Sequence, residues 1–349
     1  MKKSAVLTIV TCSIAIVILT GVLVVGLKSD GFGIGKLLDT GSLSPEAGGE
    51  KYSYTWESEE IEGLDISWIN GPIELKVGTG NEILITEVSK HVLEEKERLQ
   101  ISSSNGVLKI KWNSDFISFG FLQNMEKSLT ITVPKETAEK LENLNCSNTS
   151  GDIKAIGFAA KNGDVSSTSG SLTVSDVKGE ELSFSTVSGS MDLLNIYAEK
   201  TLDISTTSGA VKVDHFQAPE TEVSSVSGKI WMSGDTNELD ASSVSASIEA
   251  EFLKCPEDAS MESVSGKLTM ELPENDGFQA KFSSISGKFS SEFPVTGDSG
   301  KSGIAIYGSG KAELSFSTTS GKMEILKRGI KTRLRIFPEP WFFFINLSA

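Results

Sequence analysis

The side chains most capable of chemistry in this 349-residue chain are a set of evenly spaced serines. Ser150, Ser169, Ser188, Ser208, Ser227, Ser245, Ser265, Ser286 and Ser320 each precede a glycine, or Ala246 in one case, at spacings of 19, 19, 20, 19, 18, 20, 21 and 34. A serine becomes a nucleophile only beside a base, and the chain has two histidines, His91 outside the series and His215 between two of its members. Neither a Ser-His-Asp arrangement nor a histidine-rich metal site is therefore expected. Glycan cleavage needs paired carboxylates, or a carboxylate beside a cation, on neighbouring segments. Four residues after each serine stand Lys154, Thr173, Asp192, Lys212, Trp231, Glu249, Thr269, Ser290 and Glu324, where no two acids adjoin. Asp152 and Asp164 come nearest to a pair, and Trp231 is a lone aromatic with an outward parity. Calcium-binding repeats carry Gly and Asp at a nine-residue spacing, which the ~19-residue period here lacks. No catalytic, metal or cofactor residue is assigned, and the serines read as a structural ladder. A polysaccharide-acting enzyme is the catalytic alternative.

The elements that position the serines follow from alignment on them. Four residues before stand Cys146, Val165, Phe184, Ile204, Val223, Ala241, Met261, Phe282 and Phe316; three after stand Ile153, Leu172, Met191, Val211, Ile230, Ile248, Leu268, Phe289 and Met323. Six before and five after, the positions are again apolar, with only Gly163, Thr221 and Ser291 as exceptions. Offsets that differ by two are the period of a strand with one buried face, and the glycine between them suits a corner through a positive φ. A 19-residue strand-corner-strand unit cannot bury its face alone, so copies must stack. The predicted fold is all-β: a single-stranded parallel β-helix, or β-solenoid, with Phe184, Ile204, Val223, Met261, Phe282 and Phe316 in its core column. Just before each serine a β-branched residue should point outward, from Thr149 and Thr168 to Ile285 and Thr319. One step earlier, Asn148, Ser167, Thr186, Thr206, Ser225, Ser243, Ser263, Ser284 and Thr318 form a polar row of inward parity that can hydrogen-bond from coil to coil.

The domains expected are a cytoplasmic tip and transmembrane anchor at 1–27, a flexible tether at 28–55, irregular N-terminal coils or cap at 56–134, regular solenoid at 135–327, and a tail at 328–349 outside the fold. Ser4 to Leu27 is uncharged and long enough as a helix to span a bilayer, and Lys2 and Lys3 keep its start cytoplasmic, leaving the solenoid extracellular. A cleaved signal peptide is the competing reading. Gly31, Gly33 and Gly35 precede no strand-and-helix pattern, so no phosphate loop is read there. Strands are expected at 62–67, 73–77, 82–88, 107–112 and 129–133, and the Gly, Ser and Pro cluster from Pro294 to Ser302 reads as a loop inserted between coils. Cys146 and Cys255 fall about five coils, or ~24 Å, apart and should not be bridged. Against 47 acids stand 32 Lys and Arg, a net charge of -15 that repels nucleic acid. The tail carries Lys331, Arg333 and Arg335 before Trp341-Phe342-Phe343-Phe344-Ile345, a run too short to span a bilayer.

The segments Ile66-Ser67-Trp68-Ile69-Asn70-Gly71-Pro72-Ile73-Glu74-Leu75, Thr130-Ile131-Thr132-Val133-Pro134-Lys135 and Ser185-Thr186-Val187-Ser188-Gly189 resemble the bacterial adhesin-like β-solenoid family, a domain of unknown function that includes LiaG-type membrane proteins. The likeness covers about residues 56 to 326 and implies the solenoid fold without implying catalytic residues. The expected function is adhesin-like surface binding or scaffolding by a membrane-anchored extracellular solenoid. An accessory or regulatory component of a cell-envelope stress response is the alternative. The expected partners are the membrane, through the N-terminal helix, and a cell-wall polymer, an envelope protein or a second copy of the chain.

Overall fold

A computed structural model describes residues 49–113 and 126–329. The expected anchor, the tether up to residue 48 and the tail from residue 330 lie outside the described residues. Among the described residues no helix is long and apolar enough to cross a membrane.

The central coils are long strands running from one Ser-Gly corner to the next: Leu172–Thr186, Met191–Thr206, Val211–Ser225 and Ile230–Ser243. Each pairs in parallel with the coils on either side, so that Phe184 lies over Ile204, Ile204 over Val223, and Val223 over Ala241. Alternation sends every second residue inward. Phe184, Ile204, Val223, Met261, Phe282 and Phe316 are all buried in one apolar cluster that runs without a break from Ile61 to Ile325. Four successive coils have a second corner, where Gly157, Asp176, Asn195 and His215 stack with φ of 83°, 57°, 55° and 58°. Asn and Asp tolerate this left-handed backbone better than most residues, and Asn195 Nδ2 donates to Asp176 Oδ1 at 2.8 Å. The register shifts between Gly179 and Glu181.

Coils stack in sequence order only in the middle. At the C-terminal end Asp258–Ser263 pairs with Ala312–Thr318, and it is Ala312–Thr318 that pairs with Gly277–Ser284. The Ser320 coil is thus inserted between the Ser265 and Ser286 coils, and the core column runs Met261, Phe316, Phe282. This corrects the sequence reading in its order, which is permuted; the segment Pro294 to Ser302 is loop apart from the two-residue strand Thr296–Gly297, and the antiparallel strand Ser302–Gly308 that starts at its end covers the outer edge of Gly277–Ser284. The physical reason lies in the aromatics. Phe282 stacks on Phe289 with centroids 4.3 Å apart, and Phe278, Phe293 and Tyr307 pack edge-on or tilted beside them, a bulky plug suited to the end of the stack.

The N-terminal end repeats the device. Gly63–Asn70 lies between Val107–Lys111 and Leu141–Ser150, while Ile73–Gly78 lies between Lys127–Pro134 and Ile153–Ile156. The stretch expected to hold irregular coils or a cap holds both, two coils and an antiparallel cap: Gln100–Ser104 on Val107–Lys111, Glu82–Ser89 on Lys127–Pro134, and Glu50–Glu57 outside Glu82–Ser89. The strand Glu50–Glu57 begins inside the stretch expected to be tether, because Tyr52, Tyr54 and Trp56 alternate with polar residues and turn one half-buried face to the cap. Lys127 is fully buried here, with Nζ 2.6 Å from Glu87 Oε1, 2.8 Å from the Glu97 carbonyl oxygen and 4.0 Å from the Trp112 ring centroid. Burial pushes its pKa down and the Glu87 carboxylate opposes that shift.

Phe184→Asp places an unpaired charge between Val165 and Ile204 and should cost more than about 4 kcal/mol. A circular dichroism melt should show the cooperative transition lost or shifted far down; a melt equal to that of the parent would contradict the stacking.

Candidate binding groove

The Ser-Gly corner is built by the residue two before the serine. Its hydroxyl accepts the corner N–H three residues on: Ser167 from Gly170 at 2.8 Å, Thr186 from Gly189 at 3.1 Å, Ser225 from Gly228 at 2.8 Å and Ser243 from Ala246 at 2.8 Å. Several also donate to the corner carbonyl of the neighbouring coil, as Thr186 Oγ1 does to Gly170 O at 3.1 Å and Ser263 Oγ to Ala246 O at 3.3 Å. This inward row is the side-chain ladder of the fold. The corner serines themselves are arranged otherwise. Ser150 is buried and Ser169 half-buried, while Ser188, Ser208, Ser227, Ser245, Ser265, Ser286 and Ser320 are exposed. They join the ladder mainly through their backbone, Ser188 N to Thr168 O at 3.1 Å and Ser208 N to Val187 O at 2.9 Å, and Ser286 also through its hydroxyl, which donates to Thr319 O at 3.4 Å. The serine ladder read from the sequence is thus corrected to a main-chain ladder with the hydroxyl row two residues upstream.

The glycine has a different reason from the expected positive φ. Among the serine-linked corners, only Gly151 has such a backbone, with φ of 137°. At Gly170, Gly189, Gly209, Gly228, Gly266, Gly287 and Gly321 an added Cβ would collide with the corner carbonyl of the next coil. Glycine is required because the backbones approach closely there.

On the outer face two rows flank this corner. Ser147, Ser166, Ser185 and Ser205 form one row; Thr149, Thr168, Val187 and Thr207 form the other. Between them runs a groove of about 370 Å³ whose remaining lining is Asn148, Ser167, Thr186, Thr206 and, at one end, Trp68. No charged side chain lines it. Two buried oxygens of lining residues have no hydrogen-bond partner, Asn148 Oδ1 and Thr207 Oγ1, although Asn148 Nδ2 donates to Gly71 O at 2.9 Å and Gly151 O at 3.0 Å. Buried acceptors without partners are uncommon in folded proteins.

Beside the serine row runs a row of acids that the alignment at other offsets missed. Asp65, Asn145, Asp164, Ser183, Asp203, Glu222 and Asp240 stack in register, with Asp203, Glu222 and Asp240 on consecutive coils. The signal was present five residues before each corner serine. Desolvation raises the pKa of Asp164; desolvation and then the charge of Asp164 raise that of Asp203; desolvation and then Asp203 raise that of Glu222.

The other candidate groups do not converge. Asp152 Oδ1 accepts from Ser171 N at 2.9 Å. Asp214 and His215 pair with each other, with Nδ1 and Oδ1 2.9 Å apart, and Glu324 sits between Lys267 and Lys322. Trp231 is half-buried and donates Nε1 to Glu251 at 3.2 Å. Cys146 and Cys255 are free thiols, with burial pushing the first up to about 12 and the second to about 11. Among the described residues no three His, Cys, Asp or Glu side chains are placed to hold a metal ion.

Thr186→Val removes the acceptor of a buried N–H and should cost about 1–3 kcal/mol, whereas Ser188→Ala should stay within about 0.5 kcal/mol. Denaturant unfolding of the two variants checks this, and equal losses would contradict the assignment of the ladder. A raised carboxylate pKa contributes stability that is present below the ordinary carboxylate range and lost as pH rises through the raised value. Asp203→Asn should therefore melt higher than the parent at neutral pH, with the gain vanishing in acid below that range. A gain that grows on acidification would contradict the sign.

Residues 61–326 match the family model described as Toastrack DUF4097. No curated protein matches the chain. Similar solved structures include a candidate cell adhesion protein from Clostridium sporogenes, 13% identical over 80% of this chain and 100% of that one, with a TM-score of 0.24. A candidate lipid-binding protein from Parabacteroides distasonis is 15% identical over 80% and 98%, with a TM-score of 0.44. A candidate adhesin from Bacteroides fragilis is 11% identical over 79% and 97%, with a TM-score of 0.35.

Proposed function

The chain belongs to the Toastrack DUF4097 family, and from that premise we propose that it is a non-catalytic binding module, adhesin-like, held at the outer face of the cell membrane by residues 1–27. The uncharged run from Ser4 to Leu27 behind Lys2 and Lys3 supports the anchor and its orientation. The observation that carries binding is the groove: stacking turns single Ser and Thr residues into two parallel rows of polar groups, several coils long, with unpartnered oxygens among the lining residues. Such a surface meets an extended partner better than a compact one, because its groups repeat along one axis at the strand spacing of about 4.8 Å.

Acids do adjoin on neighbouring coils, but none of them lines the groove. Asp203, Glu222 and Asp240 stack in one column and Glu220, Glu238, Asp258 and Glu313 in another, and no carboxylate or base is among the residues that line the groove. Retaining and inverting glycosidases both need carboxyls flanking the scissile bond. The envelope-stress reading differs from surface binding in its partner. Affinity capture with the full-length chain from membranes of its host tests both. Enrichment of wall polymer that is lost in a Ser185→Leu variant is the expected result. A stoichiometric membrane protein retained equally by both forms would support the accessory role instead, and glycan cleavage by the purified chain would return the enzyme reading.

A further inference from the structure

We propose that the groove takes an uncharged, hydroxyl-rich chain, a glycan strand, and turns away polyanionic polymers; this rests on the binding reading above and names its ligand class. The first argument is the lining. Ser185 and Ser205 on one side, and Thr149, Thr168 and Thr207 on the other, offer hydroxyls that both donate and accept, while Ser147 Oγ donates to Ile66 O at 3.2 Å and Ser166 bonds Asp164, each keeping acceptor capacity. A polyol presents the same dual groups, so each contact is matched whichever partner donates. The second argument is the pair of unpartnered oxygens. Asn148, 4% exposed, leaves Oδ1 without a donor, and Thr207 Oγ1 is buried without a partner three coils away. Both oxygens are closed to solvent as they stand, and a turn of the Thr207 hydroxyl and the Asn148 amide toward the groove would bring them to ligand hydroxyls over a span of about 14 Å at the strand spacing.

The third argument is the acid row. Asp164 and Asp203 precede the groove serines Ser166 and Ser205 by two residues on the same outward face, about 7 Å away along the strand, and Glu222 lies one coil beyond the groove. That separation is within the screening length of about 8 Å at physiological ionic strength, so a phosphate or sulfate laid in the groove feels Asp164 and Asp203. A net charge of -15 adds to the repulsion. No lysine or arginine lines the groove to offset it.

The test uses the full-length chain on an array of uncharged oligosaccharides, such as chitotetraose and maltotetraose, beside sulfated and phosphorylated counterparts and polyglycerol phosphate. Retention on at least one uncharged chain is expected, with at least ten-fold weaker retention on its anionic counterpart at physiological salt. Ser185→Leu, which fills the groove from its outward wall, should abolish retention; the isosteric Thr207→Val should weaken it at least three-fold, with far-UV spectra unchanged. Asp203→Asn combined with Glu222→Gln should narrow the gap between uncharged and anionic chains. Stronger retention of the anionic chains, lost in Ser185→Leu, would overturn the ligand class while leaving the groove as the binding site. No retention on any probe, or retention indifferent to both groove variants, would overturn the ligand class and the groove together.

Discussion

In-register stacking of equivalent residues is the constraint from which the rest of this structure follows. Each coil gives its main-chain hydrogen bonds to the coils above and below, so that a residue type repeated every ~19 positions becomes a straight column. The tightest point is the corner, where the backbones come so close that a Cβ at Gly170, Gly189, Gly209 or Gly228 would strike the neighbouring carbonyl. Ala246 shows that one coil seats a methyl group at this place, in the repeat with the shortest spacing, 18 residues. Elsewhere only glycine lets the coils approach, and the hydroxyl two residues before the serine then bonds the corner N–H and, in several coils, ties it to the next coil.

Stacking makes the outer surface as regular as the core. Inward columns of Phe, Ile, Val and Met supply the apolar burial. Outward columns are free of packing demands, and on this chain they hold Ser, then Thr or Val, then acids, each aligned along the same axis. A lone surface serine binds little; a row of them beside an uncharged groove is a repeating polar template. The function proposed here is therefore a property of the stack and not of any single residue, which is consistent with the scattered placement of His91, His215, Asp152 and Trp231.

Much of this was legible before any coordinates. The offsets of Phe184, Ile204 and Val223 specified the inward face, and the polar row from Asn148 to Thr318 specified a corner bonded from coil to coil. Other features were not legible, for identifiable reasons. The glycine role is not legible because a close approach between coils leaves the same residue type as a positive φ. The second corner at Asp176, Asn195 and His215 hid in residues that differ from coil to coil, since Asn, Asp and His all tolerate left-handed backbone. The permuted order at the ends could not be read because the Ser286 and Ser320 coils carry the same motif, and either satisfies the contacts of Met261. The acid row escaped because it lies five residues before the serine, at an offset where other coils carry Asn, Ser or Lys.

Cross-linking decides most directly whether coils stack in register and in the order described. Glu262 lies directly beside Ser317, and Ser317 lies between it and Ser283. A Glu262→Cys, Ser317→Cys pair places its Cα atoms within disulfide reach, whereas Glu262→Cys, Ser283→Cys leaves them two strand spacings, about 10 Å, apart. Mild oxidation followed by peptide mapping should find a disulfide in the first variant and free thiols in the second. A disulfide in the second variant alone would mean that the coils stack in simple sequence order, and none in either would mean that they do not stack in this register.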